Sequence, residues 1–396
     1  MTDAAARRAG APLKVFIIAG EESGDRLGGA LIESLRRRAG TDIDVEGIGG
    51  HAMAAQGVPS LFPIDHLAIV GVSAIPRRLP AILRDIRRAA ERVVAVRPDV
   101  LVIIDSPDFS HRVARRVRAA APDIPIVDYV SPSIWAWRPG RARAMRAYVD
   151  HVLALLPFEP AAHERLGGPP CTYVGHPLSE QVAQLRPGAE EAHRRASDPP
   201  VVLLLPGSRS GEVARHLAVF GAALARLAEQ GGAVEAVLPT VPHLAERVRA
   251  GVADWPVRPR VVVAEAEKWA AFRTARAALA ASGTVTLELA VAGIPTVVAY
   301  KVALVTELVY RAFVRVPTIV LANLVLDGNV MPQVIQRDAT PERLAGELAR
   351  LIGDTPERRA QLDAFARLDA VMAIGQARPS EAAADVVIEV ARRRRM

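Results

Sequence analysis

The chain is poor in cysteine, in aromatic residues and in long apolar runs. Its single cysteine, Cys171, excludes an intramolecular disulfide and fits a reducing cytoplasm. Aromatic residues make up 4% of the 396 residues, which favours helices packed on strands of Val, Leu and Ile over a β-sandwich. No run of ~20 uncharged apolar residues occurs, and residues 1–14 lack the apolar core of a signal peptide. We therefore expect neither a membrane-spanning helix nor a cleaved leader.

Two common binding signatures are also missing. The loop after the first predicted strand is not G-x-G-x-x-G, and the D-x-D at residues 42–44 precedes a strand instead of following one. Positive charge, in contrast, is in surplus, with a net charge of +7 and a pI of about 10.1. This surplus predicts an anionic partner, and nucleic acid, acidic lipid and a phosphorylated substrate all fit it.

Alternating apolar strands and helical segments predict an α/β fold. LKVFIIA at 13–19 and VVLLL at 201–205 are typical of buried parallel strands, and each leads into a Gly-containing loop and a helix. The length predicts two domains. We place them at residues 1–182 and 201–350, joined by a polar, Pro-rich linker at 183–200.

The stretch at 279–300 predicts a nucleotide site. A buried strand there leads into SGT at 282–284 and then into a helix. The N–H groups at the start of such a helix suit a phosphate, and Glu288, about one turn later, is placed to accept hydrogen bonds from a ribose diol. On this stretch alone a second interpretation stays open, in which Ser282 caps the helix and Glu288 is a surface charge.

Loops of opposite charge follow the first strand of each predicted half. The acidic loop contains Glu21, Glu22 and Asp25, which disfavour a pyrophosphate and suit sugar hydroxyls or an amine. An alternative for Asp25 is that it caps the following helix. The basic loop, PGSRSGE, has Arg209 at its centre. This pair of loops is typical of a glycosyltransferase that holds its nucleotide in the second half.

A candidate general base lies at the end of the predicted strand at 100–104. In open parallel sheets the carboxyl ends of the strands face the ligand. Asp105 lies there, whereas Asp108 is placed to cap the helix that starts near Phe109. We therefore assign the base to Asp105 and a structural role to Asp108.

A tryptophan-rich loop and a basic helix add two further candidates. Trp135 and Trp137, with Arg138 and Arg141, are suited to stack on a sugar or bind a phosphate, although packing of Trp at a domain edge explains them equally well. An apolar patch beside basic residues predicts a membrane-interface element, and an ordinary amphipathic helix is the alternative. The residues of this element are Leu67, Ile69, Val70, Val72, Arg77 and Arg78.

Taken together, these motifs resemble the lipid-A-disaccharide synthase family over about residues 14–350. The segments that carry the resemblance are AGEESGD, RPDVLVIIDSPDFS, YVSPSIWAWR, LPFE, VGHPL, LLPGSRSGEV, ASGTVTLELAVAGIPTVVAYK and ANLVLDGNVMPQVIQ. The resemblance implies an inverting glycosyltransferase of the GT-B type, in which two Rossmann-like domains face each other across a cleft. It implies that the enzyme uses no metal ion or other cofactor. It also implies a peripheral position on the cytoplasmic face of the inner membrane.

The implied reaction joins UDP-2,3-diacylglucosamine to 2,3-diacylglucosamine 1-phosphate, giving the β(1→6) disaccharide 1-phosphate and UDP. Asp105 matches the acid that deprotonates the acceptor 6-hydroxyl. The positions that match the nucleotide site are Ser208, Arg209, Ser282, Gly283, Thr284, Glu288 and Asn323. The acceptor is assigned to Glu22, Ser23, Asp25, Trp135 and Arg138.

Two positions depart from the family pattern, and one feature concerns assembly. Ala322 replaces a proline, and Gln333 replaces a glutamate whose hydrogen bond an amide can keep. The C-terminal helices at 351–396 are expected to cross back onto the first domain. In the family they are exchanged between the subunits of a homodimer.

Three alternatives remain for comparison. Two are other UDP-sugar proteins of the same fold, the peptidoglycan GlcNAc transferase and a UDP-GlcNAc 2-epimerase, in which we do not expect DSPDFS or SPSIWAW. The third is a non-catalytic basic protein that binds nucleic acid or membrane. Its basic residues would interleave with aromatics along one face, whereas here they concentrate on one helix and one loop. We therefore expect no nucleic-acid partner.

Overall fold

A computed structural model describes residues 12–40, 42–64, 75–302, 317–373 and 377–395, with the backbone alone at 75–79 and 394–395. The chain divides into two compact units. Unit 1 comprises Met1–Pro177 and Gln376–Met396, and unit 2 comprises Leu178–Gly375.

Unit 1 alternates strands with helices. Its strands are β1 (Leu13–Ala19), β2 (Ile43–Ile48), β3 (Val100–Ile104), β4 (Ile126–Tyr129), β5 (His151–Ala154) and β6 (Cys171–Tyr173). Its helices before the crossover to unit 2 are α1 (Glu22–Arg38), α2 (His51–Ala55), α3 (Ile75–Val96), α4 (Ser110–Ala120), α5 (Gly140–Met145) and α6 (Glu159–Arg165).

Unit 2 repeats this alternation, and the chain then returns to unit 1. The strands of unit 2 are β7 (Val201–Leu205), β8 (Glu235–Pro239), β9 (Arg260–Val262), β10 (Ala277–Ala281), β11 (Thr296–Tyr300) and β12 (Gln333–Ile335). Its helices are α7 (Val182–Leu185), α8 (Ala189–Ala196), α9 (Ser210–Gly231), α10 (Ala245–Gly251), α11 (Glu265–Thr274), α12 (Val285–Val291), α13 (Leu321–Val325), α14 (Pro341–Ile352), α15 (Pro356–Ala366) and α16 (Leu368–Val371), and 3₁₀ turns lie at Pro177–Glu180, Pro242–Leu244 and Gln336–Asp338. The last helix, α17 (Pro379–Arg395), belongs to unit 1.

The sheet of unit 1 is parallel, with the strand order β2-β1-β3-β4-β5-β6. All five residues of β3 are apolar and buried, and so are six of the seven residues of β1. This is expected of strands in a parallel sheet that is covered on both faces. Residues of α3 and α4 cover one face, and residues of α1 and α17 cover the other. The chain leaves β1 for β2 on one side and returns to β3 on the other. Ligands of such sheets bind at the carboxyl ends of the strands beside this reversal.

Unit 2 contains a second parallel sheet of the same design. Its order is β12-β11-β10-β7-β8-β9, so the reversal falls between β7 and β10. All five residues of β7 and of β10 are buried. The predicted α/β class with two Rossmann-like units is therefore confirmed. Within the described ranges, no helix has the length and apolarity needed to cross a bilayer.

The predicted linker is wrong, because residues 183–200 are folded into unit 2. Arg195, on α8, explains why this polar segment packs instead of extending. Its guanidinium donates hydrogen bonds to four backbone carbonyls, those of Phe272, Arg273, Ala292 and Gly293. These carbonyls lie at the ends of α11 and α12, where intrahelical donors run out. Burial lowers the pKa of Arg195 to about 10.

The C-terminal boundary also differs from its prediction. Residues 351–375 belong to unit 2, and only the segment from Gln376 onward belongs to unit 1. Gln361 on α15 explains the attachment, because its amide accepts a hydrogen bond from Thr296 N at 2.9 Å and donates one to Thr296 O at 3.3 Å. A single helix, α17, therefore packs on unit 1, where Val387 is fully buried and Asp385 forms an ion pair with Arg38.

We expect Val387→Ala to lower the free energy of unfolding of unit 1 by about 2 kcal/mol, because it removes buried methyl groups between α17 and α1. Glu389→Ala on the same helix is the control, since its exposed pair with Arg393 contributes about 1 kcal/mol or less. Urea unfolding curves, with proteolysis of unit 1 as the readout, measure the free energy of unfolding of both variants. Equal effects of the two substitutions would mean that α17 is not docked as described.

Candidate active site

Strained backbone marks the carboxyl ends of β3 and β4. Asp105 and Ser106 follow β3 with φ of 50° and 48°, Val130 follows β4 with φ of 84°, and Arg138 has φ of 52°. Non-glycine residues seldom adopt a positive φ, and a β-branched residue does so least. Each such residue costs on the order of 1–3 kcal/mol, and they cluster at functional sites because the surrounding structure must enforce them.

Three of these strained residues, Asp105, Val130 and Arg138, line one cavity of about 240 Å³. Its charged lining residues come from two chain segments of opposite charge. Asp105 and Asp108 come from the turn after β3, whereas Trp137, Arg138 and Arg141 come from the segment between β4 and β5. The remaining polar lining consists of His111, Ser131 and Ser133. The cavity can thus hold a molecule with a reacting hydroxyl at one end and an anion at the other.

Asp105 is held in a defined orientation at this cavity. Its Oδ1 accepts a hydrogen bond from Ser106 N at 2.8 Å, and its Oδ2 lies 3.5 Å from Ser23 Oγ. The backbone is fixed as well, because Ser110 Oγ donates to the Asp105 carbonyl at 2.6 Å. A partly exposed carboxylate in this position is suited to accept a proton from a hydroxyl.

The predicted capping role of Asp108 is wrong. Helix α4 begins at Ser110 with Phe109 as its N-cap, and no side chain caps it. Asp108 is exposed and lines the cavity instead.

The loop after β1 contacts the Asp105 turn. A Cβ at Gly20 would lie 2.6 Å from Ser106 Cβ, so only glycine allows this approach. Glu22 is exposed and pairs with Arg26 at 2.7 Å. Both line a second, wider cavity of about 620 Å³ on this side of the sheet, together with His51 and Ile64.

Asp25, for which we predicted a contact with the acceptor, lines the second cavity but its carboxylate is engaged by backbone N–H groups. Only 3% of the residue is exposed. Its carboxylate accepts hydrogen bonds from Gly50 N and Ala52 N, both at 2.7 Å, and from Met53 N at 3.1 Å. These donors belong to the start of α2, so Asp25 caps a helix other than its own.

Trp135 is likewise structural, and Trp137 replaces it at the cavity. The indole Nε1 of Trp135 donates to Glu159 Oε1 at 3.1 Å, and its ring packs edge-on against Phe158. Trp137 is 42% exposed and has the Arg138 guanidinium 4.2 Å above its ring. The backbone turns here, with Ala136 N and Trp137 N both donating to the Ser133 carbonyl, and the two indoles have different surroundings.

Buried polar groups lie behind the cavity. Asp128 is 1% exposed, and its Oδ2 lies 3.3 Å from His111 Nε2, while Tyr148 OH lies 3.0 Å from His111 Nδ1. Burial raises the pKa of Tyr148 and raises that of Glu159 to about 7, although hydrogen bonds from Leu156 N and Trp135 oppose the latter shift. His111 was not predicted from the sequence; its signal is its place as the second residue of the helix that follows DSPDF.

The predicted nucleotide residues lie at the reversal of the second sheet. Ser208 and Arg209 follow β7, and Gly283 and Thr284 follow β10; all four are exposed. Arg209 Nη1 lies 3.2 Å from Glu212 Oε1, and most of its side chain remains in solvent. Two loops from adjacent parallel strands therefore present backbone donors and one cation at a single edge.

Two residues of this edge are engaged within the protein. Ser282 Oγ donates to the Ile319 carbonyl at 2.6 Å, so Ser282 does not cap α12. Glu288 forms an ion pair with Lys268 at 2.8 Å. Lys268 therefore shares the carboxylate that we expected to meet a ribose.

His216 fixes the basic loop and was missed from the sequence. The side chain is fully buried; its Nδ1 lies 2.9 Å from the Pro206 carbonyl, and its Nε2 accepts a hydrogen bond from Lys301 N at 3.0 Å. Because Nε2 is an acceptor, the ring is neutral with its proton on Nδ1. Burial lowers the pKa of His216 in keeping with this. The loop before Arg209 is thus tied to the end of β11.

The predicted nucleotide contact of Asn323 is contradicted. The side chain is 1% exposed, and its amide exchanges two hydrogen bonds with the backbone of Met331, at 2.8 and 2.9 Å. Gln333 accepts hydrogen bonds from Thr318 Oγ1 at 3.1 Å and Ile319 N at 3.2 Å. These contacts need an acceptor oxygen, which glutamine and glutamate both provide.

Some residues of the predicted membrane-interface element lie outside the described residues. The apolar patch at 67–72 falls outside, and for Arg77 and Arg78 only the backbone, in α3, is described. Across the described ranges, no group of three or more His, Cys, Asp or Glu side chains is arranged to hold a metal ion.

Comparison with known proteins gives consistent matches in sequence and in fold. A family model described as lipid-A-disaccharide synthetase matches residues 15–387. The lipid-A-disaccharide synthase of Nitrobacter winogradskyi is 59% identical over 96% of each chain, and that of Bradyrhizobium diazoefficiens is 58% identical over 96% of this chain and 97% of its own. The S. aureus MnaA–UDP co-structure aligns with a TM-score of 0.63 at 12% identity, covering 93% of this chain and 94% of its own. The structural likeness confirms the GT-B-type fold.

Burial of Glu159 predicts a pH-dependent stability. The folded pKa is about 7 against an ordinary value of 4.5, so the folded state retains a proton that the unfolded state loses. The associated stability is fully present below about pH 4.5 and is lost as pH rises through about 7, a difference of about 3 kcal/mol.

We therefore expect Glu159→Gln to gain stability over the wild type as pH rises from 4.5 to 7.5. Urea unfolding across this range measures the difference. Glu164→Gln, exposed on the same helix, is the control and should track the wild type. Parallel curves for wild type and Glu159→Gln would refute the raised pKa.

Proposed function

Since this chain belongs to the lipid-A-disaccharide synthase family and makes the disaccharide of lipid A in lipopolysaccharide biosynthesis, we propose how its residues share the reaction. UDP-2,3-diacylglucosamine is the donor and 2,3-diacylglucosamine 1-phosphate is the acceptor. The products are the β(1→6)-linked disaccharide 1-phosphate and UDP.

In this proposal Asp105 is the general base. The supporting observation is the strained turn after β3, which holds one carboxylate oxygen on Ser106 N and leaves the group at a polar cavity. Asp105 removes the proton from the acceptor 6-hydroxyl as that oxygen attacks the anomeric carbon of the donor. The C–O bond to UDP breaks on the opposite side, so the configuration inverts. A positioned base typically contributes about 10²–10⁴-fold to the rate.

The donor's diphosphate binds at the reversal of the second sheet. Supporting this are the exposed backbone at Gly283 and Thr284 and the exposed guanidinium of Arg209. Arg209 shares its charge with Glu212 at 3.2 Å, a solvent-exposed contact that a diphosphate can replace. Preorganised donors of this kind stabilise the charge that develops on the leaving UDP.

The acceptor occupies unit 1, beside Asp105. Trp137 and Arg138 offer an aromatic face and a cation on one side of the cavity. Ser23 and Glu22 offer a hydroxyl and a carboxylate on the other side of Asp105. Sugar hydroxyls suit such groups, and the wider cavity next to Gly20 leaves space for substituents of the ring.

The decisive experiment follows UDP release from purified protein in detergent, with and without the acceptor. Asp105→Asn keeps the shape of the side chain and removes its basicity, so we expect acceptor-dependent turnover to fall by about 10²–10⁴-fold. Asp108→Asn, in the same cavity, should change the rate by less than a tenth of that factor. Arg209→Gln should raise the donor KM more than the acceptor KM.

Binding of both substrates to Asp105→Asn, measured by calorimetry, separates loss of chemistry from loss of structure. Full activity of Asp105→Asn would eliminate it as the base. Acceptor-independent UDP release by the wild type would instead contradict the proposed reaction. Repeating the assay with EDTA tests the expected independence from metal ions.

We also propose contact with the cytoplasmic face of the inner membrane through α3. Leu83 is 39% exposed there, next to the exposed Arg84, with Arg88 one turn further. Two neighbouring arginines are less available, because Arg87 pairs with Glu91 and Arg92 pairs with Glu46.

A homodimer is a further part of the proposal, supported by the family resemblance. Light scattering of purified protein measures its mass.

We expect the double substitution Arg84→Gln/Arg88→Gln to weaken binding to vesicles of anionic lipid by about 30-fold, since each basic residue near such a surface contributes about 1 kcal/mol. Co-sedimentation with vesicles of phosphatidylglycerol measures the partition coefficient. Arg343→Gln/Arg350→Gln, the same charge change on α14, is the control. Equal losses in the two variants would show that only net charge matters.

A further inference from the structure

We propose that Arg141 and Arg138 form a subsite for the anomeric phosphate of the acceptor sugar, on the side of the cavity away from Asp105. This inference rests on the proposed function, because it assigns the phosphate end of the same acceptor. It adds a binding role for Arg141 and fixes the direction in which the sugar lies.

The origin of the charged lining residues in two segments of opposite charge supports the assignment. Both carboxylates, Asp105 and Asp108, come from the turn after β3, and both guanidinium groups come from the segment between β4 and β5. A hexose 1-phosphate has the same polarity, with a neutral hydroxyl at carbon 6 and a dianion at carbon 1. In the opposite direction the phosphate would face two carboxylates, and like charges in a confined site repel strongly.

The two arginines are available for an anion. Among the described residues, neither Arg138 nor Arg141 makes a salt bridge to a carboxylate. Arg138 is instead held over the Trp137 ring at 4.2 Å, which orients a guanidinium without neutralising its charge. Arg141 lies in α5 and is half-buried near Tyr148; burial raises the pKa of Tyr148, and the charge of Arg141 partly opposes that rise.

Backbone strain indicates that the position of Arg138 is enforced. Its φ of 52° places it in the left-handed region, one residue before Pro139. Such a conformation is energetically unfavourable and persists where the surroundings require it. Here it turns the chain so that Trp137 and Arg138 line the cavity before α5 begins. Ser133 adds an exposed hydroxyl on the same side.

A phosphate fits these groups better than a neutral sugar does. Guanidinium groups bind phosphate oxygens through parallel, charge-assisted hydrogen bonds, and two of them match a dianion. The donor's diphosphate is the competing ligand for this subsite. It would bring a second phosphate into the cavity that Asp105 also lines, and this carboxylate must stay ionised to act as the base, so the acceptor's single phosphate is the better match.

The test compares two acceptors, 2,3-diacylglucosamine 1-phosphate and its 1-O-methyl glycoside, which keeps the 6-hydroxyl and lacks the phosphate. For Arg141→Gln we expect kcat/KM for the phosphorylated acceptor to fall by about 10- to 100-fold, mainly through KM. For the methyl glycoside the change should stay within about 2-fold. Arg138→Gln should show the same selective loss. Arg146→Gln, exposed just past α5 and away from the cavity, is the control.

The outcomes separate the inference from the function on which it rests. Equal losses with both acceptors would overturn it and assign Arg141 to structure or to the donor. A rise in the donor KM alone, as expected for Arg209→Gln, would assign these arginines to the diphosphate and overturn it too. Failure of the wild type to turn over either acceptor would refute the proposed function itself. Calorimetric binding of both acceptors to Asp105→Asn/Arg141→Gln gives a readout that does not depend on turnover.

Discussion

The candidate active site depends on strained turns that a buried parallel sheet holds in place. β3 is buried on both faces, and at its end the peptide N–H of Asp105 donates to the Tyr129 carbonyl at 3.2 Å. Val130 N donates in turn to the Leu153 carbonyl at 3.0 Å, so the next turn is tied to its neighbouring strand. These bonds, with the hydroxyl of Ser110, offset the cost of left-handed residues. The strain places Asp105 at the cavity instead of along the strand.

Many polar side chains near the two sites stabilise loops and do not face a ligand. Asp25 binds three backbone N–H groups of α2, and Asn323 binds the backbone of Met331 in both directions. Gln333 does the same for the segment at 317–319. An unpaired polar group is costly when buried, so these residues satisfy loop backbone that no strand or helix covers. Substituting them would disturb a site without removing a contact to substrate.

The surplus of positive charge also has two uses. In unit 2, Arg195 satisfies helix-end carbonyls, and Arg358 donates to the carbonyls of Arg276 and Leu351. Such arginines act in place of capping residues, so their charge gives no indication of an anionic partner. The cations that can meet an anion include Arg138 at the cavity, Arg209 on the exposed loop after β7, and the exposed arginines of α3. Net charge alone therefore overstates the anion-binding surface.

The sequence alone was enough to predict the α/β class, the two Rossmann-like units, the family and the position of Asp105 at a strand end. These follow from local patterns, because a buried parallel strand needs consecutive apolar residues and a ligand-binding turn follows it directly. Which polar residues face the cavity depends on the tertiary structure. Asp25 and Trp135 turned inward, Asp108 and Trp137 outward, and the 183–200 segment packed as helices. Their partners lie far along the chain, as Gly50 and Glu159 do, and local composition carries no information about those contacts.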